Sequence, residues 1–521
     1  MSDVGTQEQS PGHKGEPPTI HLGCTVSPQQ AQSERDRLKT LAEEFARVVR
    51  KAVLLAPVAG SADGGAGVGT DAKERKSYGK VAIEGEESFS LPTDRPLPLT
   101  AAISYRKVNG ANLWVAVNEP GVVVLSDPDN ELMIAFRQGL SPEHTVQMLE
   151  GGEGLSREEA NSRVSRLIGR LASAGFLANI RGYVEAKKSS PRRFARFHLT
   201  KSCQLECVHC YSESSPRVDR TGELTTERWV TLVEEYAANG GERVLFTGGE
   251  ALIHKGAPEI IRAARKAGLH VTLFTNGLLV PRHLSLITDC VDSVQVSLDG
   301  PNALANDKIR GTGTYDKIIH AVDLLLDAGV QTRIGMTAMS LNWEEFKTSF
   351  FDFAKRYADK PIEYKVSFDV MQYGRGETIV DGLDIEETRP MAERFMDAGA
   401  VSRGPRITRT TRGCGYCEQL VIGPTGIVYP CHLLDAPICS VEERPLADIV
   451  NLVNTMARLV DVDNVEGCNT CDIRYLCGGT CRVIDSKTTG SRFITTCTPK
   501  DKERRLGNLV EFYREKVELT H

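Results

Sequence analysis

The sequence predicts an α/β protein centred on a partial barrel of six β/α units, with a small α+β module ahead of it and a cysteine-rich domain behind it. Three observations predict this. Residues 195–370 alternate short apolar β-type runs with helical patterns, the mark of a parallel sheet closed by crossover helices. Cys203-Gln-Leu-Glu-Cys207-Val-His-Cys210 follows directly on the first of those runs. Eight more cysteines fall between Cys414 and Cys497, leaving Cys439 aside.

Residues 1–95 read as a flexible extension. One helix fits Gln29 to about Leu54, and Val58–Thr70 is glycine- and alanine-rich like a linker. Cys24 reads as a solvent-facing thiol. In residues 96–190, Ala102–Arg106, Leu113–Val117 and Gly121–Leu125 read as strands, followed by helices near 129–138, 142–150 and 157–174. Val164, Leu167, Ile168 and Leu171 give the last helix one apolar face. The order suggests a shape like a winged helix–turn–helix. Glu150, Glu153, Glu158 and Glu159 would repel a phosphate backbone, so a nucleic-acid partner is not expected. An edge strand of such a module can instead accept a peptide as an added strand.

The barrel strands are expected at Phe197–Thr200, Arg243–Thr247, His270–Phe274, Ser293–Leu298, Gln331–Thr337 and Tyr364–Phe368. Helical patterns fill the gaps, for example at 226–238, 257–267, 316–328 and 343–358. Six units fit an open barrel of TIM type, spanning 195–375, better than a closed eightfold one. Polar clusters follow the first four strands: Cys203–Cys210, Gly248-Gly249-Glu250, Asn276-Gly277 and Asp299-Gly300. They should converge on one rim. Residues 400–500 are short on long helices, so bound metal should supply the stability that a small core does not. A terminal helix is expected from Asp501 to about Val517, with Leu506, Leu509, Val510, Phe512 and Tyr513 as packing residues and Gly507 weakening its first turns.

Composition narrows the functional classes. The chain has 521 residues, a length suited to two to four domains, with 40% hydrophobic and 25% charged residues. No uninterrupted apolar run approaches 18 residues, so no membrane span is expected, and no secretory signal is visible at the start. The net charge of −6 is dispersed and makes no case for nucleic-acid binding. Of fourteen cysteines, eleven fall in two clusters, and this clustering reads as metal ligation in a reducing compartment, the cytoplasm.

Three thiolates hold three corners of an iron–sulfur cubane and leave the fourth iron free to bind a small molecule, whereas an electron carrier normally has four protein ligands. Cys207 and Cys210 taken alone also suit zinc or a redox pair. Cys203 and the rest of the chain favour iron. The pair Gly248-Gly249 lets backbone approach a ligand closely, and Glu250 can accept a hydrogen bond from an ammonium group. The eight later cysteines suit two fully ligated clusters, with two zinc ions as the alternative. Cys290 and Cys439 match no ligand slot.

On these motifs the chain resembles the radical S-adenosylmethionine enzymes that carry a C-terminal SPASM domain. The resemblance implies a SAM-binding 4Fe–4S cluster on Cys203, Cys207 and Cys210. Gly248, Gly249 and Glu250 would lie against the methionyl amine, Ser297 against the ribose, and His209 beside the adenine. Arg310 would be the basic partner of the cofactor carboxylate. The SPASM pattern implies one auxiliary 4Fe–4S cluster on Cys414, Cys417, Cys431 and Cys481, and another on Cys468, Cys471, Cys477 and Cys497. There would thus be three 4Fe–4S clusters in all. Residues 96–190 resemble the peptide-recognition element of ribosomal-peptide maturases, akin to the small chaperone of pyrroloquinoline quinone biosynthesis. A leader peptide would lie along Gly121–Leu125, against the helix near 157–174.

The same resemblance implies hydrogen abstraction from a precursor peptide by a 5′-deoxyadenosyl radical, fed by flavodoxin or ferredoxin. A thioether or carbon–carbon crosslink would be the product. Sulfatase-maturing relatives have a catalytic aspartate after the GxxxxC cysteine; here that position is His432, which makes formylglycine formation less expected. His432 is a candidate base, since its charge changes near neutrality. It also suits a donor to the cluster or a surface ring. Asp369, Tyr373 and Asp435 are further candidates that spacing does not separate. Oxidation of a small molecule by the same architecture, or a cluster-bearing DNA regulator, are the other readings.

Overall fold

The computed structural model describes residues 78–82, 88–118, 121–178, 194–367, 370–371, 373–379, 383, 412–434 and 436–518. All of them belong to the compact unit Lys76–His521. The expected helix Gln29–Leu54, the linker, Cys24, Asp369 and Asp435 lie outside the described residues.

The chain enters on a hairpin that the sequence reading missed, β1 (Tyr78–Ala82) against β2 (Ser88–Pro92). Strands this short, carrying few apolar residues, leave almost no alternation to read. Next come β3 (Ile103–Val108), β4 (Ala111–Ala116) and β5 (Gly121–Leu125), an antiparallel meander in that order. Asn109-Gly110 makes the two-residue β3–β4 turn, with φ of 49° and 77°; Asn and Gly tolerate this left-handed pair.

Three helices follow, Asp127–Arg137, Pro142–Gly152 and Arg157–Ser173, each begun by a serine cap: Ser126, Ser141 and Ser156. Glu159 closes a capping box with Ser156. Glu150 pairs with Arg157, and Glu153 with Arg163 at 2.7 Å. The acidic crowding that argued against nucleic acid is therefore partly neutralised within the module.

The meander is covered on both faces. Trp114, Val123 and Leu125 pack on the three helices. Leu113, Val115, Val122 and Val124 pack instead on Ile473 and Leu476 and on Leu506, Leu509 and Val510 of the terminal helix Pro499–Glu518. Gly507 sits inside that helix, where an added Cβ would come within 3.4 Å of Asn109 Nδ2. The side chain of Phe512 lies outside the described set.

The barrel is a six-stranded parallel run, β6 (Phe194–His198), β7 (Arg243–Thr247), β8 (His270–Thr275), β9 (Ser293–Ser297), β10 (Gln331–Thr337) and β11 (Ile362–Ser367). Helices cover its outer face. Ala195 and Phe197 join the outer core, where Phe197 meets Trp229 at 5.4 Å between ring centroids. The intervening Arg196 therefore points inward, by the two-residue period of a strand. The same alternation turns Tyr364 out toward Phe350 and Lys365 in.

Helices Val280–Cys290 and Ala303–Arg310 fill two further gaps between the strands. The sheet is also wider than expected. β12 (Leu420–Ile422) pairs in parallel with β6, and β13 (Ile427–Tyr429) and β14 (Cys439–Ser440) extend it to nine strands. The expectation that residues 400–500 lack long helices is corrected by Leu446–Leu459. Its Leu446, Ile449, Val450 and Val453 recur at helical spacing and are buried.

Candidate cofactor and cluster site

Cys203, Cys207 and Cys210 lie on the loop after β6. Cys203 and Cys207 are buried and Cys210 is half-buried. Each sulfur has its own neighbour. The Asn276 amide lies 3.6 Å from Cys203 Sγ, Arg310 Nη1 lies 3.9 Å from Cys207 Sγ, and Ser212 Oγ lies 3.4 Å from Cys210 Sγ. Burial pushes the Cys203 thiol up to about 11 and raises Cys207 as well. Thiolates here need a positive partner, which a metal centre supplies.

The loop is held from two sides. Gly249 N–H donates to Thr200 O at 2.8 Å, and Glu250 N–H to Ser202 O at 2.9 Å. A Cβ on Gly249 would fall 2.4 Å from Ser202 O, and one on Gly248, at φ 150°, would fall 2.4 Å from Thr200 O. Only glycines let β7's end press this closely on the cysteine loop. From the other side Arg375 donates to Cys207 O and to Ser214 O, both at 2.9 Å. Arg375 was not singled out in the sequence, because it lies in a short 3₁₀ turn (Gly374–Thr378) far along the chain.

Glu250 is fully buried, and its carboxylate serves the protein. It accepts from Leu252 N–H at 3.1 Å, Thr275 Oγ1 at 3.0 Å and Asn276 N–H at 2.8 Å. It thereby sets the loop whose Asn276 reaches Cys203. Asn276 Oδ1 also accepts from Gln204 Nε2 at 3.1 Å.

Asp299 is the hub that sequence reasoning placed on the rim without giving it a role. It is 1% exposed. Its Oδ1 accepts from Thr337 N–H at 2.8 Å. Its Oδ2 lies 2.7 Å from Arg310 Nη2, an ion pair, and 3.2 Å from His209 Nε2. His209 thus faces a carboxylate, and burial holds its pKa below the usual imidazole value. Arg310 Nε, His209 Nδ1 and Gln204 Oε1 are buried with no protein partner. Ser297, half-buried, ends β9 at the same rim.

Behind the rim, Arg196 lies with its Cζ 5.7 Å from the Phe274 ring centroid. Tyr211 and His432 meet edge-on at 5.8 Å. Burial, with Arg196 and Lys365 nearby, lowers His432 to about 4, so its ring is neutral at pH 7. His198 is buried and also held neutral. Tyr373 begins the Arg375 turn.

The eight later cysteines form two neighbourhoods. Cys414 feels Cys481, and Cys417 feels Cys431 and Cys414. Cys468 feels Cys477 and Cys471, and Cys497 feels Cys477 and Cys468. The second set lines a pocket edged by Lys502 and Arg505. Arg482 sits between the sets, fully buried, 3.0 Å from Asp485 Oδ2. It acts on both Cys414 and Cys468. Cys290 is packed in the barrel core and Cys439 lies on β14.

These donors fit the expected groups by their chemistry. Among the described residues, no three His, Cys, Asp or Glu side chains close to the spacing of a single metal ion. Buried polar atoms without partners and a two-glycine cradle surround the first cysteine set.

The chain belongs to the radical SAM superfamily, whose family model matches residues 197–353. It is a radical S-adenosylmethionine enzyme, and membership implies S-adenosyl-L-methionine and a 4Fe–4S cluster. It is 30% identical over 338 residues to an AdoMet-dependent heme synthase of Methanosarcina barkeri, covering 58% of this chain and 95% of the relative. It is 31% identical over 255 residues to the subtilosin biosynthesis protein AlbA of Bacillus subtilis, covering 46% of this chain and 54% of the relative. It is 27% identical over 318 residues to the PqqA peptide cyclase of Granulibacter bethesdensis, covering 57% and 84%. No helix among the described residues is long and apolar enough to cross a membrane.

Proposed function

We propose that this chain is a peptide maturase that oxidatively modifies a ribosomally made precursor, forming an intramolecular thioether or carbon–carbon crosslink. The observation that carries the reading is the meander β3–β5 with its three helices, ahead of the barrel in sequence, whose edge strand β5 suits an added peptide strand. The names of the AlbA and PqqA-cyclase relatives support it. In this reading residues 96–190 bind the leader, 195–375 form the radical barrel, 400–500 the SPASM domain and 501–521 the closing helix, with 1–95 as an extension.

Cys203, Cys207 and Cys210 hold the SAM-binding cluster. Cys414, Cys417, Cys431 and Cys481 hold one auxiliary cluster, and Cys468, Cys471, Cys477 and Cys497 the other. When bound and reduced, the first cluster and S-adenosylmethionine supply a 5′-deoxyadenosyl radical that abstracts hydrogen from an unactivated carbon. The chain's own residues position and shield. Gly248 and Gly249 open the approach for the cofactor, Glu250 fixes the loop beneath it, and Ser297 faces the ribose. His209 and Arg310 stand at the adenine and carboxylate ends, both anchored through Asp299. His432, neutral at pH 7, accepts the substrate proton at a ring nitrogen.

Anaerobic reaction with a leader-bearing precursor and a flavodoxin or ferredoxin should remove two hydrogens per event by mass spectrometry. Equal processing of the leaderless core would sink the peptide reading. Deleting 96–190 is a poor test, because it strips the cover from Ile473, Leu476 and the terminal helix. A second reading, oxidation of a small molecule, is favoured by the heme-synthase relative, and turnover without any peptide would establish it.

A further inference from the structure

Arg482 opens the helix Arg482–Thr489 and is wholly buried together with Asp485, one turn further on. Its Nη1 donates to Asp485 Oδ2 at 3.0 Å and to Thr480 O at 3.2 Å, and its Nε donates to Val460 O at 3.4 Å. Its Nη2 is buried with no protein partner. That free end of the fork lies beside Gly479, at φ 81°, where an added Cβ would fall 2.9 Å from Arg482 Nη2 and 3.3 Å from Cys468 Sγ. Guanidinium and sulfur thus share the space of one missing methyl group. Gly479 and Cys468 also line the pocket that holds Cys471, Cys477 and Cys497.

The counter-ion is engaged by other donors. Asp485 Oδ1 accepts from Thr480 Oγ1 at 2.6 Å, Thr496 N–H at 2.8 Å and Thr496 Oγ1 at 2.9 Å. An ionised carboxylate only accepts, so the Thr480 proton is committed to it. Thr495 Oγ1, 2.7 Å from Thr480 Oγ1, is then the donor of that pair, and it accepts in turn from Cys497 N–H at 3.2 Å. These hydroxyl protons all run toward Asp485, and neither threonine keeps one for the Cys468 sulfur. Arg482 Nη2 is the unspent donor next to it.

We propose that Arg482 sets the reduction potential of the cluster held by Cys468, Cys471, Cys477 and Cys497, with Nη2 beside the Cys468 thiolate and Asp485 fixing the guanidinium. The inference rests on the cluster assignment made above. Reduction adds one electron to that cluster and makes or breaks no bond; the donor is the substrate being oxidised in turnover and dithionite in the test. What the protein must stabilise is therefore one more negative charge among four thiolates. A buried cation does this strongly, and a buried carboxylate opposes it. Arg482 and Asp485 thus act with opposite sign, and the closer cation prevails. A raised potential makes this cluster the stronger electron acceptor, the direction that oxidation of a substrate requires. Arg482 is a tuning residue and touches no reacting atom.

The test uses the full chain, anaerobically reconstituted with iron and sulfide, titrated with dithionite and mediators and read by electron paramagnetic resonance. The SAM-binding cluster is recognised by its response to added S-adenosylmethionine, and the Cys468 cluster by the signal that Cys471→Ser alters. Asp485→Asn, whose amide oxygen still accepts from Thr480 and Thr496, should raise the potential of that signal. The double variant Arg482→Met with Asp485→Asn should lower it below wild type. Each change should be about tenfold in the one-electron equilibrium, or about 59 mV. The other auxiliary signal should move less. Mere loosening of the site would not reverse sign between the two variants. Unmoved potentials, shifts of the same sign, or a larger shift in the other auxiliary cluster overturns the inference. Loss of the Cys468 cluster from both variants, counted as iron and sulfide per chain, makes Arg482 a folding group and overturns it too. A wild-type protein without this signal removes the cluster assignment itself, whereas a wild-type signal that neither variant moves removes this inference alone.

Discussion

Arg310 Nη2 lies 2.7 Å from Asp299 Oδ2 while its Nη1 reaches toward the Cys207 sulfur at 3.9 Å. A buried carboxylate thus anchors the cation that stands beside a cluster thiolate. The same oxygen meets His209 at 3.2 Å, so one aspartate sets two residues of the rim.

Replacing Asp299 with Asn keeps the shape and removes the charge. Arg310 is then left buried without its counter-ion, a loss of about 3 kcal/mol or more. Urea unfolding of the cluster-free protein should show that drop. Cluster-loaded Asp299→Asn should also form 5′-deoxyadenosine more slowly, whereas wild-type stability and rate together would refute the anchoring role.

Gly249→Ala should be far more harmful than one methyl group suggests. The new carbon would meet the backbone oxygen of Ser202 at 2.4 Å, and no side chain can move aside to relieve it. Overpacking of this kind costs about 1–3 kcal/mol. The expected result is poor iron incorporation with a near-normal far-ultraviolet spectrum, measured as iron and sulfide per chain. Full incorporation would show that the loop yields more easily than its packing implies.

Two neighbourhoods of cysteines predict two spectroscopic groups. Cys431→Ala and Cys481→Ala should perturb one auxiliary signal in electron paramagnetic resonance of the reduced protein, and Cys468→Ala and Cys497→Ala the other. A substitution that disturbs the opposite signal would redraw the assignment.

His198 predicts a pH dependence of stability. Burial holds its folded pKa well below the unfolded value of 6.5. Above pH 6.5 the ring is neutral in both states and nothing is lost. Below it the unfolded chain takes up the proton first, so stability falls as pH drops, by about 1.4 kcal/mol per pH unit. Urea midpoints at pH 7.5 and 5.5 should separate further in the wild type than in His198→Gln. Equal separation would mean that other groups carry the slope.

Much of the barrel was legible because its strands are apolar and its helices periodic. Arg243–Thr247 and Gln331–Thr337 are strands over their full expected spans. The rim loops were legible because glycine pairs and polar residues follow strands. The roles of Asp299, Asn276 and Arg375 were not, since each depends on a partner distant in the chain. Arg375 and Cys207 lie 168 positions apart, and no local pattern announces such a bond. The joining of β12 to β6 was hidden for the same reason, three residues being too few to announce a strand.

The double-sided cover of the small meander has a consequence for biosynthesis. Arg106 binds Asp472 across 366 positions, on the same seam where Val122 and Val124 await the closing helix. During translation that greasy surface emerges hundreds of residues before its lid. A nascent chain must shield it for the whole interval, so premature stop codons in this protein should yield aggregates rather than a soluble amino-terminal fragment.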